Sequence, residues 1–230
     1  MRRLFTFGCS FTQYFWPTWA DILGKEFDHF ENWGKLGGGN QFIFNSIIEC
    51  SLRNKFTPDD TVVIMWTNVT REDRYIKDNW ETHGNVFTTY FYSPEFLHRY
   101  FDIKGCFVRD LAVIHAAKNY LENLGVKFIF LSMVPIQNYD QYTIAELDEA
   151  QPLFDLYANT LENVRPSVYE KVFNYKWRPQ EQDMHPTPIE HLEYLDKVVP
   201  EIPISEATRS WARSVENSDN YSTNKPPVRF

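Results

Sequence analysis

A chain of 230 residues with 43% hydrophobic content can fill the core of one sizeable domain and falls short of two. Its formal net charge of −8 argues against nucleic acid as the main partner, because phosphate binding needs a basic surface. The three cysteines, Cys9, Cys50 and Cys106, form neither a metal-ligand spacing nor a disulfide framework, so free thiols in a reducing compartment are expected.

The first element sets the pattern. Leu4 to Phe7 is short, apolar and aromatic, and Gly8 stops it, which predicts a buried strand closing in a tight turn. Ser10 stands just past that strand. In open α/β sheets the carboxyl edge of the strands is where ligands bind, and a serine there is placed to be a nucleophile. Pro17, then Trp19, Ile22 and Leu23 at helical spacing, predict a helix. Residues 28–33 read as a second short strand. Gly34, Gly37, Gly38 and Gly39 mark a loop of unusual dihedrals or close approach. Asn40 to Leu52 follows as a helix with Ile43, Phe44, Ile47 and Ile48 on one face.

Thr61 to Trp66 is a buried strand, announced by the turn Pro58-Asp59-Asp60 and ending at Thr67-Asn68. Residues 69–105 read as an irregular, aromatic-rich insertion, a lid with some helix near 95–101. Its rings are Tyr75, Trp80, Phe87, Tyr90, Phe91, Tyr92, Phe96, Tyr100 and Phe101. Phe107 to Leu124 is an amphipathic helix stopped by Gly125, and Val126 to Leu131 the next strand. A helix over 150–163, a last strand over Lys171 to Tyr175 and a helix over Thr187 to Val198 complete the series. From Ser205 the chain is polar, with Pro226-Pro227 near its end, and is expected to be extended or partly disordered. The alternation implies a parallel sheet covered on both faces. The domain is expected to span 1–200, with the insertion at 69–105 and a polar tail over 201–230. No signal peptide or membrane-spanning stretch is read, so a cytoplasmic protein without a membrane or nucleic-acid partner is expected.

Four polar groups fall beyond strands or in loops that such a sheet brings to one edge: Ser10, the glycine loop at Gly37, Asn68, and His185 with Asp183 beside it. Ser10 would attack a carbonyl and His185 would take its proton. The N–H groups of Ser10 and Gly37, with the Asn68 amide, would hold the oxyanion. Each residue has a plainer reading alone: Ser10 as a turn residue, Asn68 as a strand-end cap, His185 as structural. A phosphate loop is not supported, since Gly-x-x-x-x-Gly-Lys-Ser/Thr is absent. The α/β-hydrolase elbow Gly-x-Ser-x-Gly fails because residue 12 is threonine. His29, His83, His98, His115 and His191 show no metal spacing and are assigned to surface or core.

Taken together, Phe7-Gly8-Cys9-Ser10-Phe11-Thr12, Asn32-Trp33-Gly34-Lys35-Leu36-Gly37, Trp66-Thr67-Asn68 and Asp183-Met184-His185-Pro186 resemble, in order, the blocks of the SGNH hydrolases, the GDSL-like esterases and lipases. The resemblance implies a flavodoxin-like, three-layer α/β/α sandwich with a parallel sheet and hydrolysis of an O-acyl or O-acetyl ester without a cofactor or metal. It implies Ser10 as nucleophile, His185 as base, Asp183 as its orienter and Ser10, Gly37 and Asn68 as the oxyanion hole. There are departures. Cys9 replaces the family's usual aspartate before the serine, and Trp66 stands where glycine is usual. The acid and base are separated by one residue, whereas the family spaces them as Asp-x-x-His, which would put Gln182 in the acid's place. An O-acyltransferase and a non-catalytic carbohydrate-binding or structural module remain the alternatives. Arg71 and Arg74 are candidates to clamp a substrate carboxylate or sulfate. Trp16, Trp33 and Trp80 are candidates to stack on a sugar, which would make the substrate a carbohydrate ester.

Overall fold

Strands with nearly unbroken apolar sequence need cover on both faces, and parallel pairing with helical crossovers supplies it. The computed structural model describes residues 1–88, 91–179 and 182–217. In it, β1 (Arg3–Phe7), α1 (Trp19–Gly24), β2 (His29–Asn32), α2 (Asn40–Asn54) and β3 (Thr61–Trp66) come first. A hairpin of β4 (Arg71–Ile76) and β5 (Asn79–Asn85) follows, then α3 (Pro94–Tyr100), α4 (Ile103–Leu124) and β6 (Lys127–Ser132). The last stretch carries α5 (Ile144–Leu156), α6 (Ala158–Leu161), α7 (Val168–Lys171), α8 (Pro188–Val198) and α9 (Glu206–Glu216).

The sheet has the order β2-β1-β3-β6 and every pairing is parallel. Leu4 lies between Phe30 and Thr61, and Thr61 in turn pairs with Lys127. Helices α2, α4, α5 and α6 pack together, as do α1, α7, α8 and α9, so two helical layers enclose the sheet. The central strands are sealed: Leu4, Phe5, Phe7 and every residue from Val62 to Trp66 are fully buried. Each such large side chain contributes about 1.5–3 kcal/mol by leaving water. That rigid block fixes the carboxyl ends of β1 and β3, where Ser10 and Asn68 emerge. Among the described residues no helix is long and apolar enough to cross a membrane.

Three local expectations give way. The segment 69–105 is not irregular at its start: β4 and β5 form an antiparallel hairpin turning at Lys77-Asp78, both with positive φ. Of its rings, Phe87, Tyr92, Phe96, Tyr100 and Phe101 form a satellite cluster, with Tyr92 stacked on Phe96 and both in contact with Phe101, while Phe91 stacks on His83 at 3.5 Å. Tyr90, counted among those rings, lies outside the described residues. Lys171–Tyr175 is not a strand, because Ser167 and Glu170 form a capping box that starts α7 one turn earlier. The polar segment after residue 201 is not extended throughout. Ser205 caps α9, and Glu216 returns to accept the Ile189 N–H on α8 at 2.6 Å. The rest of that tail, 218–230, lies outside the described residues.

Candidate active site

The Ser10 loop is shaped by the close approach of Thr12 to Gly8. A Cβ on Gly8 would lie 2.0 Å from the Thr12 hydroxyl, so only glycine admits the turn. Thr12 and Gln13 N–H donate to the Cys9 carbonyl and continue it as a helical turn. Cys9 is buried with its sulfur 3.8 Å from that of Met133, whereas Ser10 keeps 8% exposure. Among the described residues the Ser10 hydroxyl has no hydrogen-bond partner, His185 included.

His185 is nevertheless held on the Ser10 side of the molecule. Its ring meets Phe11, the residue after Ser10, edge-on at 5.2 Å, and stacks on Tyr14 at 3.6 Å. Nδ1 lies 2.7 Å from Asp183 Oδ1, and the His185 backbone N–H reaches the same oxygen at 2.8 Å. The Tyr14 hydroxyl donates to the other Asp183 oxygen at 2.7 Å. Hydrogen bonds from Tyr14 and from His185 outweigh partial burial and hold the Asp183 carboxyl below its ordinary range. An ionised carboxylate only accepts, so Nδ1 carries the hydrogen and Nε2 of the neutral ring is the free acceptor. Burial holds the imidazole below the usual histidine range; Asp183 opposes this, while Arg71 and Arg178 reinforce it. The loop is braced from behind. Arg178 donates to the His185 and Asp183 carbonyls at 2.8 and 3.1 Å, and Trp16 donates to the Pro186 carbonyl at 2.7 Å.

The glycine loop is closed by the hairpin. Gly37 has φ +74°, and a Cβ there would lie 2.2 Å from the Thr82 carbonyl oxygen on β5. The Thr82 hydroxyl donates to the Leu36 carbonyl at 2.7 Å. Helix α2 has Gly39 as its N-cap and no capping side chain of its own. Asp73 of β4 supplies one from across the chain, accepting from Gly39 and Phe42 N–H at 2.8 Å each.

Asn68 is equally constrained. Its side-chain oxygen accepts from Thr70 N–H, the Thr70 hydroxyl and the Tyr142 hydroxyl at 3.0, 3.0 and 2.7 Å. Those contacts fix the amide orientation and leave its NH₂ without an acceptor among the described residues, as an oxyanion donor must be. Asn40 brackets the preceding residue, accepting from Thr67 N–H at 2.9 Å and donating to its carbonyl at 3.1 Å. It also donates to Asp110, a buried carboxyl that desolvation raises to about 6 against the opposing pull of Arg109. Arg109 clamps the following residues through the Val69 and Arg71 carbonyls at 2.8 and 2.9 Å.

The remaining expected binding residues divide. Arg71 reaches the Gly38 carbonyl at 3.0 Å and stays with the site. Arg74 does not: it pairs with Glu72 at 2.9 Å and lines a separate cleft of about 440 Å³ with Tyr100 and Arg109. Trp33 is buried, with its indole on Glu31 at 2.7 Å. Trp16 is buried behind His185. Trp80 packs on Phe42 and Tyr75 and lines a cleft of about 520 Å³ along the outer side of α2, away from the Ser10 turn. Among the described residues no group of three or more His, Cys, Asp or Glu side chains is placed to hold a metal ion.

The fold has counterparts among solved structures. An acetyl-xylooligosaccharide esterase from Geobacillus stearothermophilus aligns over 88% of this chain and 94% of its own, at 13% identity and TM-score 0.52 for one variant. A G-D-S-L family protein from Desulfitobacterium hafniense aligns over 87% of this chain and 99% of its own, at 13% identity and TM-score 0.50. The fold is that of the SGNH hydrolases. No family model matches the sequence, and no curated protein does. On the SGNH framework, the residues that sequence reading missed are Tyr14, Asn40 and Asp73. Tyr14 and Asn40 sit within a few residues of expected site positions; Asp73 gave no signal, because its partners are backbone N–H groups distant in sequence.

Proposed function

We propose that the protein is a serine hydrolase of O-acyl esters, with Ser10 as nucleophile, His185 as general base and Asp183 as its orienter. The observation that carries this is the His185 ring. Asp183 takes its Nδ1–H, Tyr14 and Phe11 fix its plane beside the Ser10 turn, and Nε2 is left to accept a proton. Ser10 and His185 share no hydrogen bond among the described residues, and on this reading their contact forms in the substrate complex, where such contacts tighten. Ser10 Oγ attacks the ester carbonyl while its proton passes to His185 Nε2. The oxyanion is received by Ser10 N–H, Gly37 N–H and the Asn68 amide. The imidazolium returns the proton to the leaving alcohol, and water then cleaves the acyl-enzyme by the same route.

The fold shared with an acetyl-xylooligosaccharide esterase supports small acyl groups such as acetyl. The tryptophans expected to stack on sugar do not add support for a carbohydrate alcohol, since two are buried and the third lines a different cleft. The test is labelling by a fluorophosphonate, together with hydrolysis of para-nitrophenyl acetate, for the parent, Ser10→Ala and His185→Ala. Labelling that vanishes in Ser10→Ala, with turnover lost in both variants, is the expected result. A parent that neither labels nor hydrolyses would leave a binding module on this fold. Acyl transfer to added alcohols outpacing hydrolysis would instead make it an acyltransferase.

A further inference from the structure

Arg71 opens β4 three residues after Asn68, and its guanidinium enters the site loops. Nη1 donates to the Gly38 carbonyl at 3.0 Å. Among the described residues the hydrogen-bond partner of Nη2 is the sulfur of Met133, at 3.4 Å, and a thioether is a weak acceptor. Nε–H is buried and has no hydrogen-bond partner among the described residues. The same Met133 sulfur touches Cys9 Sγ at 3.8 Å and the Thr67 hydroxyl at 3.7 Å, the neighbours of Ser10 and Asn68. The guanidinium therefore sits where the Ser10, Gly37 and Asn68 loops converge. Its charge is among those that disfavour protonation of His185. Among the described residues no carboxylate forms an ion pair with it. Asp73, two residues on, gives its oxygens to Gly39 and Phe42 N–H.

Nε–H and Nη2 make up one edge of a guanidinium, two parallel donors matched to the two oxygens of a carboxylate. Arg3 shows that edge filled in this chain: its Nε and Nη2 hold the two oxygens of Asp60 at 2.7 and 2.6 Å. Arg71 presents the same edge with a sulfur on one donor and, among the described residues, no partner on the other. A transition-state oxyanion is a single atom and already has three proposed donors. Two parallel donors suit a permanent, planar anion better. Met133 is unbranched and flexible, so it can leave that edge when a stronger acceptor arrives.

We propose that Arg71 is a specificity-determining residue that binds a carboxylate carried by the ester substrate, with Met133 as the displaceable cover. This rests on the hydrolase reading for the word substrate, but not for the anion site. Two matched pairs of esters test it. Meta-carboxyphenyl acetate against meta-carbamoylphenyl acetate places the charge on the alcohol side; para-nitrophenyl hydrogen adipate against para-nitrophenyl hexanoate places it on the acyl side. The readout is the ratio of kcat/KM within each pair. In one pair the charged ester is favoured, and Arg71→Gln lowers that ratio about ten- to a hundred-fold, with Arg71→Lys restoring part of it. A ratio near one in both pairs, or one unchanged by Arg71→Gln, overturns the proposal while leaving the hydrolase reading intact.

A second arm needs neither turnover nor a stable variant. The arginine Nε–H proton resonances of the parent are followed by NMR during titration with adipate and with its diamide. Movement of the Arg71 resonance by adipate alone supports the site even if no ester is cleaved. A resonance indifferent to both compounds overturns it.

Discussion

On the proposed mechanism, Tyr14 is the residue that makes the short acid–base spacing workable. With only Met184 between them, Asp183 and His185 leave the carboxylate short of support on its outer side, and the Tyr14 hydroxyl supplies it at 2.7 Å. Tyr14→Phe keeps the ring stacked on His185 but removes that donor. A hydrogen bond to a charged group is worth about 1.5–3 kcal/mol, so kcat is expected to fall about tenfold or more with little change in KM. If KM alone moves, Tyr14 contacts substrate instead. The pH profile carries a second expectation. On the proposed mechanism the base works in its neutral form, and burial, opposed by Asp183, holds the His185 pKa below its ordinary 6.5. Activity should therefore persist below that pH and fall only as His185 takes up its proton. In Tyr14→Phe the less stabilised Asp183 carboxylate is the more basic, which moves the acid limb upward. An acid limb above 6.5 in the parent would contradict the burial of the ring. Gly37→Ala gives a separate check. Positive φ and a Cβ 2.2 Å from Thr82 O both oppose it, so it should lose activity and loosen the hairpin together.

At the scale of elements, the β4–β5 hairpin acts as a brace for the glycine loop. Asp73 caps α2 from the hairpin, Thr82 holds Leu36, and Arg71 holds Gly38. Asp73→Ala is expected to cost about 1–2 kcal/mol in denaturant unfolding, as loss of a cap does, and to slow turnover because the Gly37 N–H loses its fixed direction. Unchanged turnover in a destabilised variant would show that the loop holds its shape without the brace. None of this was legible in the chain. Arg71-Glu72-Asp73-Arg74 is polar, and the turn Lys77-Asp78 takes positive φ without glycine, so neither alternation nor a familiar turn pair announces the hairpin. The central strands were legible because they are apolar runs bounded by turn residues; three of the four site blocks follow a sheet strand, and the fourth, at Asp183–Pro186, stands before the capped helix α8. The misread segment at Lys171 carried a usable signal, Ser167 and Glu170 three apart, but its apolar residues suggested a strand. Tyr14 and Asn40 lay close to expected site residues, but their partners, Asp183 and Thr67 with Asp110, are set by tertiary packing.

For the whole molecule, the buried ionisable groups determine how the fold responds to acid. His191, on α8, is 1% exposed, and neither ring nitrogen has a partner among the described residues. Burial, with the charges of His185 and Arg178 adding to it, lowers its pKa to about 3 from an ordinary 6.5. The unfolded chain therefore binds a proton on His191 below 6.5, and the native chain does not until about 3. The stability due to a neutral His191 is complete above 6.5 and drains away as pH falls through that window. His185, also lowered, acts in the same direction. Asp110 acts in the opposite one: raised by burial to about 6, it takes up its proton in the native state first, so its contribution grows as pH falls. The histidine window is the wider, so net loss is expected on the acid side. One such group costs about 1.4 kcal/mol per pH unit, or about 2 kcal/mol between roughly pH 7 and pH 5. His191→Leu removes that group and its unmet nitrogens without opening a large cavity. It should match or exceed the parent near neutral pH and lose less by about that amount on acidification, measured by urea unfolding at each pH. Parallel losses in parent and variant would place the acid sensitivity elsewhere, with His185 as the next residue to replace.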